Sequence, residues 1–204
     1  MTAIRFMTLF AGFALSVALA GCATAPTTGV RRDDSAVDLS GEWNDVDADL
    51  VAKEMIRDCM TSPWADKFRQ KNGRGPVVKL YPIRNRSSDH VETKYFTKQV
   101  EKALVNSGSI EVVAASDEAD VTRQEQAEQT KNASDETVKS GGNETGADFI
   151  MSGWVVSQND SDGAGRNIKA FVTTMELTDV RSQKKVWLND KKIKKQVTRA
   201  SVSF

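Results

Sequence analysis

The spacing of apolar residues changes several times along the chain and divides it into predicted helices and strands. Apolar side chains recur every three or four positions from Val46 to Met60 and from Phe96 to Leu104, which predicts two amphipathic helices. Asp45 or Asp47 is placed to cap the first helix, and Pro63 cannot continue it. Each helix is therefore expected to bury one face in a common core.

The second helix carries its own start and stop signals. Asp89 and Glu92 lie three residues apart ahead of it and are predicted to form a capping box. Gly108 follows Asn106 and Ser107, as expected where a helix ends in a left-handed glycine. The helix is therefore bounded on both sides by residues that suit a helix end.

Strand-like segments surround the helices. They are residues 76–83, 110–114, 149–156, 168–178 and 184–188. The third segment is apolar apart from Ser152 and Gly153, which is typical of a central strand covered on both faces. Residues 158–165 and 179–182 have the composition of turns. Connections this short cannot cross over a sheet, so the last three strands are predicted to form an antiparallel meander.

Residues 116–146 differ from the rest of the domain because polar and charged side chains dominate them. Val121 and Val138 are their only large apolar residues. The segment could be a solvated helix followed by a turn at Gly141–Gly142, or a mobile loop. We expect the helix, held by little packing energy because it has so few apolar positions.

The order of the elements, helix, β, α, β, α, β, β, β, predicts an α/β fold. We expect a single-domain sandwich in which a mixed β-sheet carries helices mainly on one face, with the antiparallel meander at its C-terminal end. Residues 41–204, roughly 160 residues, are enough for one such domain. No internal repeat is visible in the sequence.

The first residues have the pattern of an export signal. Arg5 precedes an apolar run from Phe6 to Ala18, which is shorter than the roughly 20 residues of a membrane-spanning helix. Leu19-Ala20-Gly21-Cys22 follows and matches the bacterial lipobox. We therefore predict a signal peptide over residues 1–21, cleavage between Gly21 and Cys22, and lipid on Cys22. The alternative is an ordinary signal peptide beside a chance cysteine.

Residues 22–40 are predicted to be a lipidated tether ahead of the domain at 41–204, because they are polar and lack periodicity. Two or three acyl chains on Cys22 would suffice for stable anchoring. In similar lipoproteins an acidic residue after the cysteine favours the inner membrane. Ala23 stands there instead, so we expect the outer membrane.

Composition argues against several classes of function. Removal of residues 1–21 leaves 27 basic and 28 acidic residues, since Arg5 is their only charge, so no field attracts nucleic acid. Cys59 would then be the only free thiol and is expected in the core. His90, the only histidine, is expected on a surface turn. With one histidine and one thiol, we predict no catalytic device, no metal site and no cofactor.

Two groups of surface candidates each allow two interpretations. The C-terminal cations could bind an acidic protein or an anionic glycan polymer, or could protect a sheet edge from aggregation. They are Lys184, Lys185, Lys191, Lys192, Lys194, Lys195 and Arg199.

Trp43 could meet a partner, or could fold back on the following helix as a staple. Trp154 and Trp187 lie in predicted strands and are expected in the core.

An ordered series of short motifs runs through the domain. They are Leu39–Asp45, Met55–Cys59, Ile83–Ser87, Ser107–Gly108, Gly146–Gly153, Glu176–Asp179 and Lys185–Trp187. In this order they resemble the LpoB family of outer-membrane lipoprotein activators of class A penicillin-binding proteins. The resemblance covers residues 39 to about 199.

The resemblance implies a fold like the N-terminal domain of TolB and a function without enzymatic activity. It implies that the protein docks on an accessory domain of a class A penicillin-binding protein and stimulates glycan polymerisation and cross-linking. The outer membrane, reached through the lipid anchor, is the second expected partner, and peptidoglycan is a further candidate. The predicted tether differs from the long, proline-rich tethers of the better-known activators, because it is short and has one proline, Pro26.

No contact residue of the family transfers directly, because the shared motifs are mainly structural. The loop Arg84-Asn85-Arg86-Ser87, at the end of a predicted strand, is the first candidate for partner binding, and Trp43 is the second. An alternative function is a periplasmic component of an outer-membrane secretion or assembly complex. A cell-wall hydrolase is least favoured, because no acid–base pair of carboxylates stands out.

Overall fold

The computed structural model describes residues 41–139, 141–142, 144–161 and 166–198. The helices within these residues are α1 (Asp45–Thr61), α2 (Trp64–Asn72), α3 (Thr93–Asn106) and α4 (Ser116–Asn132). The strands are β1 (Val77–Leu80), β2 (Arg84–Asn85), β3 (Glu111–Val113), β4 (Phe149–Ser161), β5 (Arg166–Asp179) and β6 (Lys185–Thr198). The predicted signal peptide and tether lie outside the described residues.

The strands form one mixed sheet in the order β3-β1-β4-β5-β6, and β2 also pairs with β4. Three pairings in this sheet are parallel: β1 with β3, β1 with β4, and β2 with β4. β4, β5 and β6 form the predicted antiparallel meander. The α/β fold with a mixed sheet is thus confirmed, and β6 lies at a sheet edge.

The meander strands are longer than the sequence predicts. Residues 158–161, expected in a turn, continue β4, while the rest of that turn, 162–165, lies outside the described residues. β6 runs to Thr198 rather than ending at Leu188. Pairing with β5 along its whole described length keeps this lysine-rich segment extended.

The predicted caps of α1 and α3 are wrong in detail. Asn44 caps α1, because its side chain accepts a hydrogen bond from the Asp47 N–H at 3.1 Å. The Asp47 carboxylate accepts from the Asn44 N–H at 3.0 Å, which completes a capping box. Glu92 caps α3 alone by accepting from the Lys94 N–H, and Asp89 takes no part.

α2 is a helix that no apolar period in the sequence predicted. Pro63, expected only to end the preceding helix, also opens α2, since a residue without an N–H suits a helix start. Gly73 ends the helix in the left-handed conformation, with φ 69°. Trp64 is buried by edge-to-face packing on Phe149, with ring centroids 5.1 Å apart.

The core lies between the sheet and the helices α1, α2 and α3. Its largest fully buried side chains include Phe96, Phe171, Leu104, Met151, Met175 and Leu177. Cys59 and Trp187 are buried as predicted. The Trp187 indole N–H donates to the Asp58 carboxylate of α1 at 2.8 Å, so the polar end of this ring is satisfied.

The expectation that β4 is covered on both faces is wrong. Burial alternates along the strand, with Met151 and Val155 buried and Ile150, Trp154 and Val156 only half-buried. The predicted core position of Trp154 is therefore also wrong. Alternation is the usual pattern of a strand with one face on the core, and apolar residues at positions on both faces concealed it in the sequence.

The polar segment forms α4, as predicted, and ends at Asn132 ahead of a bend at Gly141–Gly142. No α4 residue whose side chain is described is buried. Ion pairs hold the helix instead, from Lys98 to Glu118 and from Arg123 to Glu144. Its exposure accords with the few apolar residues of the segment.

Candidate docking surface

The structure brings together three of the residues predicted to bind a partner. Arg84 and Asn85 form β2 and pair in parallel with Trp154 and Val155 of β4. The Arg86 N–H donates to the Val155 carbonyl at 2.8 Å and extends this pairing by one residue. The side chains of Arg84, Asn85 and Arg86 are all exposed. The loop is thus fixed to the sheet through its backbone and leaves its polar side chains available.

Asn85 organises the chain that follows. Its side-chain oxygen accepts hydrogen bonds from the Ser87 N–H at 2.9 Å and the Ser87 hydroxyl at 2.6 Å. Its amide nitrogen donates to the Asp89 carbonyl at 2.8 Å. Binding of a partner to this loop would therefore cost little conformational entropy.

Arg86 stacks on Trp154. Its guanidinium carbon lies 4.5 Å from the centre of the ring, within the range of a cation–π contact. Sequence reasoning missed this pair because the two residues are far apart in the chain. Only the pairing of β2 with β4 places an arginine over the half-buried indole.

Trp154 belongs to an open face of the meander, on the side opposite the core. We call this the outer sheet face and define it by Trp154, Val156, Val172 and Leu188. Because side chains alternate along a strand, Trp154 and Val156 point away from the helices that bury Val155. Val172 pairs with Val156 across β4 and β5, and Leu188 is 57% exposed. Apolar surface therefore remains accessible to a partner.

Basic side chains border the outer sheet face. Arg84 pairs with Trp154 across β2 and β4, and Lys192 pairs with Val172 across β5 and β6. Arg84, Arg86 and Lys192 are exposed. Asp190 lies across from Thr174 in the same sheet, so the border is mixed with cations in excess. Apolar surface with a charged rim is the general form of a protein interface.

Asp89 connects the loop at residues 84–87 to β4 and β5. The Lys169 ammonium donates to Asp89 at 2.7 Å and to both Glu42 oxygens at 2.7 and 2.8 Å, and the Ser157 hydroxyl also donates to Asp89. The Lys169 hydrogen bond, reinforced by Ser157, holds the pKa of Asp89 below its ordinary value. Lys169 of β5 therefore joins the candidate docking loop, residues 84–87, to Glu42 ahead of α1.

Trp43 does not lie on this surface. Its side chain is 9% exposed and packs edge-on against Phe96 and Phe171, with centroid distances of 5.4 and 5.7 Å. Trp43 is therefore not available to a partner on this surface. Of the two interpretations, folding back into the domain agrees with its burial, although the ring contacts are with α3 and β5.

The C-terminal cations divide into two groups along β6. Lys185, Lys191 and Lys195 form ion pairs with Glu176, Glu54 and Asp47. Lys184, Lys192 and Lys194 are exposed, and Arg199 lies outside the described residues. Because β6 is an edge strand, exposed lysines there oppose pairing with another chain. The edge interpretation accounts for their positions, and Lys192 also borders the outer sheet face.

The described residues contain one histidine and one cysteine, His90 and Cys59. No group of three His, Cys, Asp or Glu side chains in these ranges could hold a metal ion. His90 is exposed, as predicted. Burial raises the pKa of Cys59 to about 12, so its thiol stays protonated. Gly21 and Cys22 lie outside the described residues.

Among residues 41–139 and the later described segments, no helix has the length and apolar character needed to cross a bilayer.

Fold and surface together define a mixed α/β domain with an ordered basic loop beside an open sheet face. The family model for the peptidoglycan-synthase activator LpoB matches residues 47–193. Because this match spans more than half of the chain, the protein belongs to the LpoB family, whose members are activators and not enzymes. A comparison with curated protein sequences finds no match.

Solved structures give weaker likenesses. The LpoB C-terminal domain from Salmonella enterica is 15% identical, with a TM-score of 0.45 over 72% of this chain and 98% of that one. The NMR structure of Escherichia coli LpoB is 13% identical, with a TM-score of 0.43 over 97% and 96% of the two chains. Lipoprotein GNA1162 from Neisseria meningitidis is 14% identical, with a TM-score of 0.38 over 62% and 87%.

Proposed function

We propose that this protein is a lipid-anchored periplasmic regulator that binds and activates a bifunctional peptidoglycan synthase of the class A penicillin-binding proteins. The observation that carries the proposal is the match to the synthase-activator family over residues 47–193. The activator stimulates glycan polymerisation and cross-linking without catalysing either. It does so by binding the active conformation of the synthase more tightly than the inactive one.

The outer membrane is the proposed location, with lipid on Cys22. Residues 23–40 span roughly 60 Å when fully extended but only about 23 Å as a random coil. The domain would then stay near the membrane on average. Its synthase must extend outward to meet it, because the tether is too short to cross a wide gap easily.

The lipid anchor has its own test. In the native host, Cys22→Ser should abolish incorporation of labelled palmitate and release the protein from the outer-membrane fraction. Labelling that persists in this variant, or an unmodified cysteine at the mature N-terminus of the wild type, would contradict the anchor.

We place the docking site on Arg84, Asn85 and Arg86 together with the outer sheet face. The loop is ordered before binding by Asn85, and Arg86 covers Trp154. This combination suits a partner surface that is apolar at its centre and acidic at its border. Opposite charge at such a rim would raise the association rate and fix the orientation of the complex.

The decisive experiment measures glycan polymerisation from labelled lipid II by the host's class A synthases, with and without soluble protein that lacks residues 1–22. Wild-type protein should raise the rate several-fold and bind saturably. The double variant Arg84→Glu/Arg86→Glu should lose both effects. Lys53→Glu/Arg57→Glu is the matched control, because these exposed residues lie on α1, on the core side of the sheet.

The outcomes separate the activity from its location on the surface. No binding and no rate change with any class A synthase of the host would refute the activator function. Full activation by Arg84→Glu/Arg86→Glu would leave the function standing and remove this docking site. Loss of activation in both double variants would show that charge in general, and not this loop, controls binding.

A further inference from the structure

A second surface feature lies where α2 meets the start of β4. Lys67, Phe68 and Lys71 of α2 face Asp148 and Arg181 across a cleft with a volume of about 590 Å³. We call it the α2 cleft. Its size falls within the range of ligand-binding clefts in proteins.

The floor and one wall of the cleft are built from fixed side chains. Phe68 packs edge-on against Phe149, with ring centroids 5.3 Å apart. The Arg74 guanidinium lies 5.2 Å from the centre of the Phe68 ring and binds both Asp148 oxygens, each at 2.7 Å. Asp148 also accepts from the Val77 N–H at 2.9 Å. This part of the cleft therefore keeps its shape whether or not a ligand is present.

The acidic groups of the cleft are already engaged. Hydrogen bonds from Arg74 hold the pKa of Asp148 below its ordinary value. The Ser182 N–H does the same for Asp179, at 2.7 Å, with a further bond from the Ser182 hydroxyl. Both carboxylates are thus charged and satisfied by their own neighbours.

Three cations remain around the cleft. Lys67, Lys71 and Arg181 are exposed and form no ion pair with any residue that the structure describes. Lys71 and Arg181 do act on the cleft carboxylates, because each further lowers the pKa of one of them. The cleft therefore offers uncommitted positive charge beside an aromatic ring.

We propose that the α2 cleft binds the carboxylate-bearing peptides of peptidoglycan. This inference rests on the proposed function, which places the domain in the periplasm beside the cell wall. Those peptides are short, mainly aliphatic and acidic. Their carboxylates match Lys67, Lys71 and Arg181, and their aliphatic parts match the Phe68 ring. Arg181 also has the planar fork that binds a carboxylate through two hydrogen bonds.

The cleft and the docking surface can be occupied together. Phe149 lines the cleft and Trp154 lies beneath the docking loop. They are five residues apart on one strand, a separation of roughly 17 Å. An activator bound to its synthase could therefore hold a wall peptide at the same time and keep the synthase close to existing polymer.

The test is co-sedimentation of the soluble protein with purified, protein-free peptidoglycan sacculi at low salt. Wild-type protein should bind, and Lys71→Glu/Arg181→Glu should bind at least ten-fold more weakly. Arg84→Glu/Arg86→Glu reverses the same number of charges elsewhere and should bind like wild type. Sacculi whose carboxyl groups have been converted to amides should bind none of the proteins. Equal thermal unfolding midpoints would show that each variant is folded.

Three results would overturn the inference. They are absence of wild-type binding, undiminished binding by Lys71→Glu/Arg181→Glu, and undiminished binding to amidated sacculi. The polymerisation assay separates this inference from the proposed function. With soluble lipid II and no sacculi present, Lys71→Glu/Arg181→Glu should still activate the synthase. A wild type that binds sacculi but activates no synthase would refute the proposed function alone.

Discussion

Lys195 and Asp47 form a buried ion pair between β6 and the first turn of α1. The ammonium and carboxylate lie 2.5 Å apart, and the side chains are 5% and 4% exposed. Lys195 also donates to the Glu42 carbonyl at 2.6 Å, while Asp47 completes the cap of α1. A single lysine thus joins the edge strand to the first turn of α1 and to the residues just ahead of it.

Replacement of Lys195 by methionine should strongly destabilise the domain. The change leaves the Asp47 carboxylate buried without its cation, which typically costs about 3–5 kcal/mol in the free energy of unfolding. Urea unfolding followed by tryptophan fluorescence would measure it. Lys192→Met is the control, because Lys192 is exposed on the other face of the same strand and should change stability by no more than about 0.5 kcal/mol. Equal effects of the two variants would contradict the importance of the buried pair.

Gly153 is required because the neighbouring strand comes close to it. A β-carbon at this position would lie 2.7 Å from the Thr174 carbonyl oxygen and 3.0 Å from the Met175 side chain. Gly153→Ala should therefore lower the free energy of unfolding by about 1–3 kcal/mol, as overpacking usually does. Gly75→Ala is the control, since nothing lies within 4 Å of its added carbon. Thermal or urea unfolding that shows no difference between these variants would refute the steric argument.

The sequence predicted the elements that have a regular apolar period. The helices around Val51 and Val100 have one buried face each, so their spacing alone located α1 and α3. α2 escaped because it is only nine residues long and has few buried positions. Trp154 was wrongly predicted to lie in the core. A tryptophan that an arginine covers on the outer sheet face gives the same sequence pattern as one that a helix covers in the core. That difference depends on pairing between β2 and β4, which no local pattern contains.

The candidate docking residues come from a different kind of sequence signal. Arg84, Asn85 and Arg86 follow a strand, and loops at strand ends commonly carry binding residues. The sequence could not show that Asn85 orders the loop or that Lys169 supports it through Asp89. Both interactions depend on the folded positions of the side chains, and Lys169 lies 80 residues from Asp89.

Cys59 should resist thiol reagents in the folded protein. Because burial raises the pKa of Cys59 to about 12, only about one thiol in ten thousand would be ionised at pH 8. In soluble protein without residues 1–22, Cys59 is the only cysteine. Alkylation followed by mass spectrometry should show slow labelling of native protein and rapid labelling in urea. A Ser88→Cys variant, at an exposed position directly after the candidate docking loop, should label rapidly without urea. Rapid native labelling of Cys59 would contradict its burial.

The bond between Arg74 and Asp148 should make stability depend on acid pH. The pKa of Asp148 is lowered from 3.8, mainly by the Arg74 hydrogen bond. A carboxyl whose pKa is lowered on folding adds stability above its unfolded value, and this contribution is lost as the pH falls through the folded value. Asp148→Asn should therefore lower Tm by a few degrees at pH 7 and pH 5.

The same variant should match wild type more closely below about pH 4. Asp148 becomes protonated there in the unfolded state, and at still lower pH it becomes protonated in the folded state as well. Thermal unfolding of both proteins from pH 7 to pH 2.5 would test this. A difference in Tm that stays constant over the whole range would show that the Asp148 charge is unimportant. Glu136→Gln, at an exposed position, is the control for loss of one negative charge.

The two lysine contacts of Glu42 suggest a path for force applied to the chain ahead of the domain. A pull on the chain ahead of Gly41 reaches Glu42 first, where Lys169 of β5 holds the carboxylate and Lys195 of β6 holds the carbonyl. Two adjacent strands therefore receive the load before the first turn of α1 does. These strands are paired along their whole described length, so tension spreads over many backbone hydrogen bonds. In the proposed role between a lipid anchor and a synthase, tension on the tether would therefore enter the sheet through β5 and β6.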